Sequence, residues 1–320
     1  MCCCIAGVPA EEGGDPMAVS SVRSNADAWF VNVDVQWMSR GDSIQSQSLA
    51  GRNNGTPGAP GDDSSVLNTD NLRLDSTFEP QLNLGYRLDD AWSFELSYSG
   101  ISSMNDEVAV AGAGDLDVPF TSLYANDFTS ADVVSARYDS ELRDLEFNLG
   151  YRVSPTTTYI IGVGYVGLYE DFKLHADNGQ ASSYNITTDN NLVGLHIGTD
   201  ATFPLSQRWS VSARGRLGAF NNRVEYSQVL GDFGDTVTLR DSDDSENGFA
   251  WRGEIGVSAE YAITRQWSAW AGYRVSYVDN VYLAPDQVDF GTAPDAGTTL
   301  TREGSAFYHG PMVGVVLSIP

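Results

Sequence analysis

Lysine is nearly missing from this chain. Of 18 basic residues only Lys173 is a lysine, and it does not follow a glycine-rich loop. A phosphate-binding loop ending in Gly-Lys is therefore excluded. Basic residues are outnumbered by 43 acidic ones, a net charge of −25, which excludes nucleic acid as a main partner. No residue after Cys4 is a cysteine; all three lie at Cys2, Cys3 and Cys4. A chain exported through an oxidising compartment pairs its cysteines or avoids them, and here the body avoids them. No apolar run reaches the length of a membrane-crossing helix, and no segment carries a 3.6-residue apolar stripe. Neither absence touches a membrane β-barrel, whose strands alternate and look hydrophilic on average. Hydrophobic residues make up 42% of the chain, enough to exclude global disorder.

What is present is alternation. Leu82, Leu84, Tyr86 and Leu88 interleave with Asn83, Gly85 and Arg87, and Leu145 to Val153, Val193 to Ile197 and Ile255 to Tyr261 repeat the pattern. Period two means strands with one apolar and one polar face. Ten strands are expected, near 28–38, 72–88, 91–101, 135–153, 157–173, 184–203, 208–228, 248–262, 266–282 and 305–319. Their connections alternate between four short ones and five long ones, the latter at 39–71, 102–134, 174–183, 229–247 and 283–304. An even-numbered barrel with tight turns on one rim and loops on the other has this rhythm. The expected fold is thus all-β, a transmembrane antiparallel up-and-down barrel of about ten strands, with 8 or 12 as alternatives. Residues 28–320 form that one domain, and 1–27 are expected to be a processed or unstructured leader with a lipid-anchored cysteine as the alternative.

Aromatic residues bracket the short turns on the apolar face: Tyr86, Trp92, Tyr151, Tyr159, Phe203, Trp209, Tyr261 and Trp267. Rings repeated at one height suit a girdle at the lipid headgroups. The polar face carries Arg87, Arg152, Arg214, Arg216 and Arg274 with Asp34, Glu95, Glu146, Asp200, Glu254 and Glu260. A near-balanced set without lysine suits a narrow lumen in which guanidinium groups bridge carboxylates. The glycines on that face, Gly85, Gly150 and Gly162 among them, leave room for long side chains.

Phe78-Glu79-Pro80 with Leu84-Gly85-Tyr86, the run Leu145 to Asn148, Gly164-Tyr165 with Leu168 to Phe172, Tyr184 to Leu195, and Phe307 to Gly310 with Val313-Gly314-Val315 form a set of short motifs over 72–319. This set resembles the "beta barrel porin seven" family of outer-membrane barrels, abundant in planctomycetes. The resemblance implies an outer-membrane barrel of unassigned transport or structural role. The chain departs from the usual aromatic end read by the barrel assembly machinery, closing on Leu317-Ser318-Ile319-Pro320.

Three motifs suggest other chemistry. Gly162-Val163-Gly164-Tyr165-Val166-Gly167 matches GxGxxG, but a strand rather than a helix follows, so its glycines are read as small lumen-facing residues. Asp241, Asp243, Asp244 and Glu246 crowd a loop that could hold Ca²⁺, the single cofactor considered, although the spacing lacks the EF-hand glycine and terminal acid. His175 with Asp177 at the loop rim raises a rim hydrolase, while His196 beside Asp200 is read as structural; no Ser–His–carboxylate set follows from spacing, so no enzyme is expected. The expected function is porin-like passive passage of small solutes. A non-conducting surface barrel acting through acidic loops is the alternative. Expected partners are outer-membrane lipid, lipopolysaccharide bridged by divalent cations, and the assembly machinery.

Overall fold

The computed structural model describes residues 29–42, 44–53, 65–120, 128–232, 234, 236–291, 293, 295–300 and 304–319. The expected leader and its cysteines lie outside the described residues. Within them the strands are β1 Trp29–Asp42, β2 Ser48–Arg52, β3 Ser65–Asn68, β4 Thr77–Arg87, β5 Trp92–Asp117, β6 Ala131–Ser154, β7 Thr157–Asp177, β8 Ala181–Pro204, β9 Trp209–Gly231, β10 Thr238–Ala262, β11 Trp267–Val281 and β12 Gly304–Ile319. Leaving out β2 and β3, each strand pairs antiparallel with the next, and β1 pairs back onto β12 from Trp29↔Ile319 to Asp42↔Ala306. The result is a closed ten-strand barrel. The short β2 pairs with β3 and joins the loop-side end of β5 at Gly51↔Asp117 and Arg52↔Leu116.

Tight turns gather on one rim: 88–91, 155–156, 205–208 and 263–266. On the turn side the outer face is apolar, with Leu195 62% and Ile255 67% exposed, while Asn32, Gln36, Gln81, Asn83, Ser97 and Ser99 are buried within. Above this belt the faces exchange character. On β7 the interior residues become Leu168, Phe172, Leu174 and Ala176, all buried, and the outer ones become Asp171, Lys173 and His175. The cause is the change of solvent. Lipid requires apolar side chains outside, whereas above the membrane water bathes the wall and the interior packs as an ordinary hydrophobic core.

This exchange corrects several sequence boundaries. The expected loop 229–247 contracts to 232–237 and 174–183 contracts to 178–180, because β7, β8, β9 and β10 continue past the belt. Turns tight enough for this need unusual backbone angles, and Gly179 supplies one at φ +96°. The alternation fails as a signal there: β10 puts Ser242, Asp244 and Glu246 on its inner side, where an apolar residue would mark a strand. A second correction concerns the GxGxxG glycines. Gly162 and Gly164 face the lumen, but Gly167 has the opposite parity and lies outside beneath the Tyr169 ring.

All eight expected turn-side aromatics face outward, and Trp29 joins them against Tyr86 with ring centroids 4.6 Å apart. Further aromatic contacts mark the loop-side edge of the belt, Trp37 against Phe78 at 4.5 Å and Trp251 against Tyr277 at 5.2 Å. If the polarity exchange marks the membrane edge, Leu195→Arg will cost about 2–4 kcal/mol of unfolding free energy in lipid vesicles. His175→Arg, outward but above the belt, will leave stability within about 0.5 kcal/mol. Equal losses would contradict this placement.

Candidate functional site

The inward faces of the turn-side half enclose a cavity of about 270 Å³, running from Pro155 and Thr156 at the rim to Gln81, Asn148 and Arg274. All eleven charged residues picked from the sequence face the interior. Eight of them line this cavity: Asp34, Arg87, Glu95, Arg152, Asp200, Arg214, Glu260 and Arg274. Arg216 turns into the β8–β9 wall, where it donates to both carboxylate oxygens of Asp200 at 2.8 and 3.0 Å and to the carbonyls of Thr199 and Gly215. Glycine is required beside it: a Cβ on Gly198 would meet the Arg216 side chain and the Gly215 carbonyl. Arg214 makes a looser contact, 3.7 Å, with the same Asp200.

A belt of buried ion pairs closes the floor of the cavity. Arg252 reaches Asp144 at 2.5 Å, Glu254 at 3.0 Å and Glu146 at 3.2 Å. Arg274 reaches Glu79 at 2.5 Å and donates to Gln81 at 3.3 Å. His196 lies against Asn148 at 2.5 Å and Glu146 at 3.7 Å, not against Asp200 as the sequence suggested. Sequence reasoning passed over Glu79, Asp144 and Arg252. Parity held the signal for two of them, since Asp144 and Arg252 stand two residues from Glu146 and Glu254 on the same faces.

Above the ion pairs the lumen is filled. In the connection from β11 to β12, the described residues 282–291 and 295–300 form a strap that folds back into the barrel, with 281–288 all buried. The entry bend is made by Asn280, at φ +59°. Side chains hold the strap in place. Asn190 clamps Tyr282 by accepting from its N–H and donating to its carbonyl, both at 2.8 Å. Glu170 accepts the N–H of Ala284 at 2.9 Å and pairs with Arg40 at 2.7 Å, whose guanidinium lies 5.6 Å from the Tyr138 and Tyr308 ring centres. Asp286 accepts the N–H of Gln45 at 2.8 Å, and Arg240 donates to the carbonyl of Asp289 at 2.9 Å. Phe120, Tyr184 and Phe290 pack into one aromatic knot. Burial pushes the Tyr184 phenol up to about 12, so it stays protonated and keeps donating to Gln228 at 2.7 Å.

The remaining sequence candidates do not come together. Asp241, Asp243, Asp244 and Glu246 lie on a strand, not in a loop. Its pleat points Asp241 and Asp243 outward and Asp244 and Glu246 inward, with Glu246 accepting from the Tyr282 hydroxyl at 3.1 Å. Among the described residues no group of three or more potential ligands could hold a metal. The His175 side chain, with Ser135 and Ser183 as cross-strand neighbours, shows no side-chain hydrogen bond to either, and Asp177 accepts from the backbone of Gly179 at 2.8 Å, so among the described residues no Ser–His–carboxylate set comes together at this rim. The ion-pair belt yields a direct test. Arg252→Ala removes the arginine partner of Asp144 and Glu146 and leaves Glu254 only the 3.8 Å approach of Arg274, and is expected to cost about 3–5 kcal/mol of stability, measured by urea unfolding in vesicles. Lys173→Ala, at an exposed pair, is expected to cost less than about 1 kcal/mol.

Among solved structures the chain is similar to the translocator domain of the autotransporter NalP from Neisseria meningitidis. Identity is 7% and the TM-score 0.44, over 93% of this chain and 91% of that one. It is also similar to the toluene transporter TodX of P. putida (11%, TM-score 0.37, 93% and 91% covered). A third is a FadL homologue of Pseudomonas aeruginosa (11%, 0.31, 91% and 90%). No curated protein matches. The family model described as "Putative beta barrel porin-7 (BBP7)" matches residues 31–308, from the third residue of the first barrel strand into the last one, and the chain belongs to that family.

Proposed function

We propose that the protein is an outer-membrane, porin-like barrel that admits small polar solutes from the turn side and passes them only when its strap leaves the lumen. The belt of outward apolar residues between two aromatic rims supports a place in the outer membrane, with the turns toward the periplasm. One observation carries the gating. The barrel's ladder is complete without the strap, which is held by the side-chain clamps of Asn190, Glu170, Asp286 and Arg240. Such clamps can be exchanged for water one by one, whereas a ladder strand in lipid cannot leave without stranding its backbone groups. With the strap displaced, water reaches the Arg252 layer from both sides, and hydration separates ion pairs that an apolar plug would keep dry.

A second reading, a non-conducting surface barrel, is favoured by the continuous hydrophobic packing above Arg252, where Leu168, Phe172, Leu174 and Leu192 are fully buried. Planar-bilayer recording separates the two. The intact protein is expected to stay closed for most of the record. A variant with residues 284–299 replaced by a short Gly/Ser linker is expected to open at least about ten times as often. A folded variant that remains silent at every voltage would leave the surface-barrel reading.

A further inference from the structure

The turn-side cavity contains charges in two different conditions. Some are already engaged: Asp200 is held bidentately by Arg216, and Arg274 is held by Glu79 and Gln81. Others are not. Among the described residues, the side chains of Arg152 and Glu260 line the cavity without a hydrogen bond or ion pair. Arg214 is 40% exposed; it makes no hydrogen-bonded ion pair, approaches Asp200 at 3.7 Å and lies within the field of Glu95, Glu254 and Asp34. Asp34 is the most informative. It is 5% exposed and lines the cavity; its Oδ2 accepts from Asn32 at 2.9 Å, yet its Oδ1 is buried without a partner. A buried, bare carboxylate oxygen is costly, and native structures rarely leave one without a donor.

We propose that this cavity is a binding site for a small zwitterion of amino-acid size, entering ammonium first. The ammonium meets the Asp34 carboxylate where it lines the inner wall, turning its partnerless oxygen towards the ligand, and the carboxylate meets the guanidinium groups of Arg214 and Arg152. Charge and volume select this class. The cavity is lined by four arginines (Arg87, Arg152, Arg214, Arg274) and four carboxylates (Asp34, Glu95, Asp200, Glu260), so a solute of one sign would face as many repulsive groups as attractive ones. A dipolar solute satisfies both unpaired kinds at once. At about 270 Å³ the space falls just short of the roughly 300 Å³ at which drug-sized sites begin. Asn32 is prepared for its supporting role: it donates to Asp34 and accepts from Trp270 Nε1 at 2.8 Å, fixing the carboxylate's orientation.

The proposal rests on the reading of the cavity as a solute entrance, but not on passage, so binding at equilibrium tests it separately. Calorimetry on the full chain, folded in detergent, is run with L-alanine and with its two halves, acetate and ethylammonium. L-Alanine is expected to bind with a Kd on the order of 1 mM, at least tenfold tighter than either half. Arg152→Gln, which has no partner to lose, is expected to weaken alanine binding at least threefold, and Asp34→Asn at least tenfold, with folding checked by heat-modifiable gel mobility. Absence of heat from L-alanine at 20 mM, or equal affinity for the halves, would overturn the assignment, and so would unchanged affinity in both variants. A strap-deleted protein that never conducts but binds alanine would refute gating and leave the site standing.

Discussion

Backbone hydrogen bonding in a medium without water is the constraint on which the rest depends. Every N–H and C=O at membrane depth must find a partner within the protein, and a sheet meets that demand only by closing. Here closure is the pairing of β1 with β12, twelve register partners between Trp29↔Ile319 and Asp42↔Ala306. Once the ring is shut, each strand has one face in lipid and one in the lumen. Polar side chains are confined to an interior too narrow to hydrate them all. Arginine meets this situation better than lysine, since one planar guanidinium can serve several carboxylates, as Arg252 does for Asp144, Glu146 and Glu254.

The interior is consequently divided by height. Nearest the turns it keeps a polar cavity with charges still available. At mid-depth two arginines share four carboxylates in a buried belt. Above that, where the wall emerges from lipid, the inside becomes a hydrophobic core packed against the strap and the short β2–β3 pair. The two closures differ in kind. Ion pairs can be hydrated, whereas the apolar core excludes water, so in the proposed function control of passage lies on the loop side.

The period-two signal was legible wherever the lipid belt imposed it, and there the strand positions, the outward aromatics and the inward charges could be read residue by residue. It faded where the solvent changed. Asp241 to Glu246 looked like an acidic loop because a strand with water on its outer face and polar contacts within, such as Glu246 with Tyr282, has no apolar face to show. Arg40 and Glu170 were passed over for a related reason: their partnership spans strands far apart in the chain and is made inside a core that only the folded ring encloses.

Alternation, loop rhythm and the scarcity of lysine determined by themselves that this chain is a closed β-barrel with a charged interior, because a strand in lipid must show an apolar side chain at every second position. Whether that interior is open lay beyond such local rules. It was decided by where the strap between β11 and β12 comes to rest and by which carboxylate each arginine chooses. Those outcomes depend on distances between strands, and neighbouring residues along the chain do not encode them.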